Sequence, residues 1–252
     1  MEDEIVYWIW LSKLKGLGPK RQRQLLKVFQ KPKEIFDADI DRLMSVPGMN
    51  SKMISNIKSQ QSLKKTEEIF NKCKVAGISI MTVYDNIYPK LGRNVEDMPI
   101  LLYYKGNAVK DLEGNAIVGS RRCSKNGKEE AISLAIKFSN QNIPVISGMA
   151  KGIDSYAHTA CILNGGFTVA VLANGLDICY PSEHDILMKR IQENGLLLSE
   201  YEPGARPTKY TFPRRNRIIA ACSKEIYVPE SGNHSGALIT AEYGRKYGRI
   251  VV

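Results

Sequence analysis

The sequence predicts an α/β protein with a Rossmann-like, doubly wound and mostly parallel sheet, preceded by a small all-α domain. From residue 67 to residue 252, short apolar runs rich in β-branched residues alternate with helical stretches. Nearly continuous apolar strands separated by helices are typical of a parallel sheet covered on both faces. The first 66 residues show apolar positions at helical spacing, interrupted by glycine and proline turns. We therefore predict domains at 1–66 and 67–252.

The first domain contains two similar segments, "LKGLGPKRQRQLLKVF" and "LMSVPGMNSKMISNIKS". Each places a tight glycine turn before a basic amphipathic helix, which is typical of a helix-hairpin-helix or SAM-like unit. Backbone N–H groups at such a helix start can hold a DNA phosphate. Lys20 and Lys52 follow the turns and are predicted phosphate contacts. A helical bundle that binds no DNA is the alternative.

The second domain has seven apolar runs that we interpret as strands and five intervening helices. The chain closes on a further apolar run, "RIVV". The predicted strands are 78–83, 100–105, 115–120, 143–147, 167–172, 195–200 and 225–230. The predicted helices are 128–140, 153–163, 183–193, 213–222 and 238–247.

The charge and the cysteine content limit the classes of partner and site that this protein can have. The net charge is +10, and the segments 12–33, 120–128 and 206–217 carry basic residues without any acid. Such basic islands favour a polyanionic partner over a merely solvated basic surface. Five cysteines without a C-x-x-C pair argue against a disulfide framework or a zinc site. An acidic start and the lack of a long apolar run predict no export signal, no membrane contact and a cytoplasmic location.

Three glycine-containing loops follow predicted strands at the edge where doubly wound folds bind ligands. The first ends in Arg121 and Arg122, which put two guanidinium groups at this edge, and Arg121 suits a bidentate phosphate contact. In the second, Gly148 and Gly152 open a helix beside Lys151, and helix starts attract anions. The third supplies Ser235 as a hydroxyl donor. Together they predict a phosphate-rich ligand.

Signatures of common cofactor and metal enzymes are missing from the sequence. It contains no G-x-G-x-x-G after a strand, no Walker A motif and no H-E-x-x-H. The histidines at 158, 184 and 234 lack metal-ligand spacing. We expect His158 to pack within its helix and Asp154 to favour the first turn of that helix electrostatically. We predict no metal, no cofactor and no catalytic residue.

Six segments resemble the DNA-processing protein A family, also called Smf, in both order and spacing. The resemblance runs from about residue 78 to the end and is strongest over 117–241. The segments are "IVGSRR", "VISGMAKGIDSYAH", "AVLANGLDICYP", "LLLSEYEPG", "FPRRNRIIAACS" and "SGALITA".

The resemblance implies a cytoplasmic protein that binds and protects incoming single-stranded DNA, helps to load the RecA recombinase in natural transformation, works as a homodimer and has no established catalytic activity. It also implies a DNA pocket. Carried onto this chain, the pocket residues are Gly119, Ser120, Arg121, Ser147, Gly148, Ala150, Lys151, Gly152, Phe212, Arg214, Arg215, Asn216 and Arg217. Ser235 and Gly236 are further expected phosphate contacts.

In this interpretation the arginines of "FPRRNR" neutralise phosphates and Phe212 stacks on a base. The residue-level alternatives are that Arg217 pairs with Glu200 or Glu230 and that Phe212 belongs to the core. The family continues beyond "GRIVV", so we expect the second domain to be incomplete at its C-terminal end. Two other functions stay open: a phosphoribohydrolase-like enzyme that processes nucleotides, and a basic protein-interaction module.

Overall fold

The computed structural model describes residues 2–232 and 235–252, so His234 lies outside the described residues. The chain forms two compact units. One contains the residues up to Gly77 together with Glu96–Leu101, and the other contains Ile78–Val95 and Leu102–Val252. Within the described residues, no helix is both long enough and apolar enough to cross a membrane.

Between residue 2 and Gly77 the regular structure of the first unit is helical. Its helices are α1 (Glu2–Lys13), α2 (Pro19–Phe29), α3 (Pro32–Asp37), α4 (Ile40–Met44), α5 (Ser51–Ser59) and α6 (Lys64–Val75). The predicted boundary at residue 66 falls inside α6, which packs against α1 and so belongs with the helical unit.

The two glycine turns of this unit pack symmetrically: each lies against the helix that follows the other turn. Gly16 and Gly48 adopt φ values of +83° and +78°, which favour glycine. A Cβ on Gly16 would collide with the amide of Asn56 in α5, and a Cβ on Gly48 would collide with the guanidinium of Arg21 in α2. The predicted helix-hairpin-helix arrangement is therefore confirmed.

The two predicted phosphate contacts of the helical unit differ in their surroundings. Lys20 pairs with Glu96 at 2.7 Å, whereas Lys52 lies exposed at the start of α5. Both roles stay predictions.

The second unit is built on a sheet of eight strands in the order β1-β2-β6-β5-β4-β3-β7-β8. β3 through β8 pair in parallel, and β2 pairs antiparallel with β6. The strands are β1 (Ser79–Thr82), β2 (Leu101–Gly106), β3 (Gly114–Ile117), β4 (Val145–Ser147), β5 (Thr168–Leu172), β6 (Gly195–Ser199), β7 (Ser223–Tyr227) and β8 (Ile250–Val251). The prediction of a mostly parallel, doubly wound sheet is confirmed.

Five helices connect these strands and cover the sheet. They are α7 (Lys125–Asn140), α8 (Ile153–Leu163), α9 (Asp185–Asn194), α10 (Thr211–Cys222) and α11 (Gly236–Lys246). From β3 the chain proceeds through β4 and β5 to β6, and then crosses by α10 to β7 on the other side of β3. β3 is therefore the switch point, where folds of this type bind ligands at the carboxyl ends of the strands.

Two predicted strands end three residues earlier than expected. The strand predicted at 115–120 ends at Ile117, and the strand predicted at 225–230 ends at Tyr227. Pro229 has no N–H to donate to a sheet, so the chain leaves the ladder before it. The carbonyl of Glu230 instead accepts a hydrogen bond from Ser120 N at 2.8 Å.

His158 joins α8 to the sheet, which confirms that it packs within its helix. Its Nδ1 lies 2.7 Å from Thr168 Oγ1, and that hydroxyl itself donates to Val145 O at 2.9 Å. Nδ1–H must therefore be the donor to Thr168. Nε2 is buried without a partner among the described residues, so protonation would bury an uncompensated charge. Burial lowers the pKa of His158 to about 3, and the charges of His184 and Arg215 act in the same direction.

The folded protein should therefore lose stability on acidification. The pKa of His158 is about 3 in the folded state and 6.5 as the ordinary value. The unfolded chain thus binds the proton first, and the stabilisation present above pH 6.5 is lost as the pH falls towards 3. At pH 5 the loss should be about 2 kcal/mol.

Urea unfolding at pH 7 and pH 5 would measure this effect. His158→Gln should lose about 2 kcal/mol less than the wild type between the two pH values, because glutamine does not titrate. Equal losses in both proteins would contradict the assignment to His158.

Candidate nucleic-acid interface

A cleft of about 590 Å³ opens at the carboxyl edge of the sheet, beside the switch point at β3. Its walls come from the loops after β3, β4 and β7 and from the starts of α10 and α11. The residues that line it include Gly119, Ser120, Arg121, Arg122, Ala150, Asp154, Phe212, Arg215, Asn216, Ser235 and Gly236. The structure thus brings together most of the predicted pocket residues, whereas Lys20 and Lys52 belong to the helical unit.

The loop after β3 presents two arginines to the cleft. Gly119 is required there, because a Cβ would lie 2.5 Å from Ile153 Cγ1 and 2.7 Å from the carbonyl oxygen of Glu230. Ser120 Oγ donates to Arg122 O at 2.9 Å and fixes the turn. The side chains of Arg121 and Arg122 are exposed, and neither pairs with a carboxylate in the described part of the chain.

Glu230 holds this loop in place through hydrogen bonds to Ser124. Its carboxylate accepts hydrogen bonds from Ser124 N, at 2.9 and 3.0 Å to its two oxygens, and from Ser124 Oγ at 2.5 Å. Glu230 therefore organises the arginine loop and is not the partner of Arg217.

The loop from Gly148 to Gly152 follows β4 and is closed by Asp154. The Asp154 carboxylate accepts hydrogen bonds from Gly148 N at 3.1 Å and Ala150 N at 3.3 Å. Burial raises the pKa of Asp154, while Arg215 and these backbone amides oppose that shift. Asp154 therefore fixes the loop that precedes α8. This is a specific set of hydrogen bonds, whereas we expected only an electrostatic effect on the first turn of that helix.

Ser147 and Lys151 occupy opposite environments in the same region. Ser147 is fully buried and donates from Oγ to Ile117 O at 2.6 Å, which ties β4 to β3. Lys151 is exposed and forms an ion pair with Glu183. A ligand phosphate at Lys151 would have to compete with this carboxylate.

Arg215 is buried, with 5% of its surface exposed. Its Nη1 donates to Gly148 O at 2.6 Å and to Val171 O at 2.5 Å, and its Nε donates to Asn216 Oδ1 at 3.0 Å. Burial lowers the pKa of Arg215 to about 10, and the charge of Asp154 opposes that shift. The guanidinium thus joins α10 to the ends of two strands. Its predicted DNA contact stays a prediction, and its observed role is structural.

The other two arginines of α10 share one carboxylate. Arg217 Nη2 lies 2.6 Å from Glu200 Oε1, and Arg214 Nη2 lies 3.5 Å from the same oxygen. The alternative in which Arg217 pairs with Glu200 is therefore confirmed. Arg217 has a side chain only 8% exposed, against 61% for Arg214. Of the three arginines, Arg214 is the one that solvent and ligands can reach.

Phe212 lies at the rim of the cleft and is half-buried. The guanidinium of Arg121 lies over its ring, with Cζ 5.4 Å from the ring centroid. The ring of Tyr180 also contacts Phe212, with the two ring centroids 5.5 Å apart. Phe212 therefore belongs to a small surface cluster and is not a residue of the central core.

The start of α11 forms the remaining wall. Ser235 caps this helix by accepting a hydrogen bond from Ala237 N at 3.2 Å. Asn216 donates from Nδ2 to Gly236 O at 2.9 Å, so α10 holds the first turn of α11 in place. Among the described residues, no cluster of three or more His, Cys, Asp or Glu side chains could hold a metal ion.

Sequence reasoning missed the residues that hold this surface together. Glu183 and Tyr180 were not singled out, although "YPSE" directly follows a strand-end loop and so was open to notice. The backbone acceptors of Arg215 leave no sequence signal, because any residue supplies a carbonyl.

Removing the buried guanidinium should destabilise the protein strongly. Arg215→Met leaves two carbonyls without their donor and removes the positive charge that opposes the burial of Asp154. Leaving a buried charge uncompensated costs about 3–5 kcal/mol. Arg214→Met, the matched control in the same helix, should cost no more than about 1 kcal/mol. Urea unfolding of the two variants would measure the difference. Equal losses would show that Arg215 is not a structural anchor.

Comparison with known proteins agrees with this geometry. A sequence model described as DNA recombination-mediator protein A matches residues 79–252, and one described as a SAM-like helix-hairpin-helix tandem matches residues 11–60. Protein Smf from Synechocystis sp. is 34% identical over 254 residues, covering 99% of this chain and 64% of that protein. DNA processing protein DprA from Streptococcus pneumoniae is 42% identical over 171 residues, covering 68% of this chain and 60% of that protein.

Two solved structures are also similar. The X-ray structure of DNA processing protein A from Streptococcus pneumoniae has a TM-score of 0.79 and 35% identity, covering 98% of this chain and 85% of that chain. DNA processing protein A from Helicobacter pylori, whose structure addresses its single-stranded DNA binding mode, has a TM-score of 0.62 and 30% identity. It covers 69% of this chain and 79% of that chain.

The chain spans between three fifths and two thirds of the length of the two curated relatives described above. Since the family model covers well over half of this chain, and the fold agrees with that of a solved member, the chain belongs to the DNA recombination-mediator protein A family.

Proposed function

We propose that this chain binds single-stranded DNA along the carboxyl edge of its sheet. The observation that carries the proposal is the exposed pair Arg121 and Arg122, which faces a cleft beside an aromatic ring and has no carboxylate partner within the described residues. Guanidinium groups suit phosphate oxygens, and aromatic rings stack on bases of any sequence.

We propose different tasks for the basic residues, in keeping with their exposure and their partners. Arg121 and Arg122 neutralise phosphates directly, while Lys151 and Arg214 contribute after releasing Glu183 and Glu200. The buried Arg215 and Arg217 position α10 and act on the ligand through it. Single strands should bind better than duplex, because paired bases cannot stack on a ring at the rim of the cleft.

Family membership supports a wider role as part of the same proposal. We propose that the protein is cytoplasmic, protects incoming single strands, helps to load RecA onto them during natural transformation and works as a homodimer. Strand exchange by RecA on DNA coated with single-strand-binding protein would test loading, and light scattering in solution would test the dimer.

We propose binding rather than catalysis at this cleft. Asp154 is the carboxylate that lines the cleft within the described residues. It is buried, and the amides of Gly148 and Ala150 both donate to its Oδ2. It is therefore poorly placed to activate water. Release of a free base and ribose 5-phosphate from a nucleoside monophosphate would favour the phosphoribohydrolase-like alternative. Loss of RecA binding with intact DNA affinity in Arg121→Gln would favour a protein-interaction module.

Arg121→Gln should reduce the salt dependence of binding. Each phosphate contact to a single strand contributes roughly 0.7 to the slope of log affinity against log salt. The variant should therefore show a slope shallower by about 0.7 with labelled oligo-dT in fluorescence anisotropy. Unlabelled duplex should compete poorly.

Lys137→Gln is the matched control, because it removes one positive charge near the end of α7, away from the cleft. Its slope should equal that of the wild type. Equal slopes for all three proteins, or no preference for single strands over duplex, would contradict the assignment of the cleft.

Glu183→Gln should strengthen binding to single strands. The substitution frees Lys151 from its carboxylate partner, so that its charge becomes available to a phosphate. Affinity should rise and the salt slope should steepen by up to about 0.7.

Glu113→Gln is the control for this change. Glu113 forms a comparable ion pair with Lys90 at 2.8 Å, but it precedes β3 and so lies at the opposite edge of the sheet from the cleft. An equal gain in affinity in both variants would indicate a general charge effect instead of a local one.

A further inference from the structure

A second, shallow pocket adjoins the cleft on the other side of Phe212. It measures about 60 Å³, and its lining includes Tyr180, Lys151, Arg121 and Phe212. Arg121 and Phe212 line both cavities. A strand held at the cleft therefore meets this second surface directly beyond Phe212.

Tyr180 is the most accessible aromatic ring of this surface. Its residue is 44% exposed, whereas Phe212 is half-buried and is contacted by both Arg121 and Tyr180. The ring planes of Tyr180 and Phe212 are inclined at 49°. The side chains thus contact one another in turn, from Arg121 through Phe212 to the exposed ring of Tyr180.

We propose that Tyr180 forms a separate nucleobase-stacking subsite, next to the one at Phe212. The inference rests on the proposed binding of single-stranded DNA and extends it by one nucleotide position. The base lies against the exposed part of the Tyr180 ring, because the pocket beside it is too small to enclose a base. The adjoining phosphate lies near Lys151, which lines the same pocket.

The chemistry of this subsite predicts tolerance of sequence. Every base has a π-face, and the contact needs the ring of Tyr180 and no hydrogen bond from its hydroxyl. Because Tyr180 is uncharged, its loss removes stacking without removing a phosphate contact. A substitution of Tyr180 should therefore lower the affinity without changing the salt dependence, whereas a substitution of Arg121 should change the salt dependence.

The test compares Tyr180→Leu, Tyr180→Phe and the wild type in anisotropy titrations with labelled oligo-dT. Tyr180→Leu should weaken binding roughly 5- to 150-fold, the range expected for the loss of one stacked base, with an unchanged salt slope. Tyr180→Phe should bind as the wild type does. An oligonucleotide of the same length made of abasic sites should bind all three proteins equally.

Tyr84→Leu is the matched control. Tyr84 is an exposed tyrosine that follows β1, four strands away from β4 in the sheet. Its variant should bind oligo-dT as the wild type does. Tyr180→Trp adds a direct readout, since its fluorescence should be quenched by oligo-dT and not by the abasic strand.

The outcomes separate this inference from the proposed function. If the wild type binds oligo-dT with a salt slope that Arg121→Gln reduces, but Tyr180→Leu keeps full affinity, the stacking subsite is wrong and the cleft stands. An equal loss by Tyr180→Leu on abasic and normal strands would also overturn the subsite. If the wild type fails to bind single strands, the proposed function itself is wrong.

Discussion

The candidate site depends on one buried cation. The guanidinium of Arg215 donates to the carbonyls of Gly148 and Val171, at the ends of β4 and β5, and so fixes α10 across the sheet. Gly148 has no room for a Cβ, because the guanidinium lies 2.5 Å from that position. Asp154 balances the buried charge and at the same time closes the glycine loop. The position of α10, and with it the rim aromatic, follows from this arrangement, whereas Glu230 holds the loop that carries the exposed arginines.

A cluster of arginines in sequence is therefore not a set of equivalent ligand contacts. Helical geometry turns neighbouring residues of α10 in different directions, so Arg214 faces solvent while Arg215 faces the sheet. Glu200 neutralises part of the charge that remains. Most of the unpaired positive charge at the cleft comes instead from the loop after β3. The arginines of α10 mainly hold the structure together, and the loop after β3 supplies the accessible cations.

The order of helices and strands was predictable from the sequence, because apolar periodicity depends only on neighbouring residues. The glycine loops were predictable for the same reason, since each follows an apolar run. The structural role of Arg215 was not predictable, because its acceptors at Gly148 and Val171 lie far away in the chain. The pair between Arg217 and Glu200 was one of the alternatives stated from the sequence, and the structure confirms it. The early end of β7 could have been predicted from Pro229, because proline has no N–H to donate to the sheet. The extent of the helical unit was not predictable, because α6 belongs there only through its packing on α1.

The path of α10 also determines when the cleft can form during folding. α10 follows β6 and precedes β7, although β5, β4 and β3 lie between those two strands. Contacts between distant parts of a chain form late, because the entropy of closing the intervening loop opposes them. The loops after β3 and β4 precede α10 in the chain, whereas the loop after β7 follows it. A growing chain therefore carries the first phosphate-facing segments without a complete cleft, and we expect competence to bind only after the crossover helix and α11 have docked.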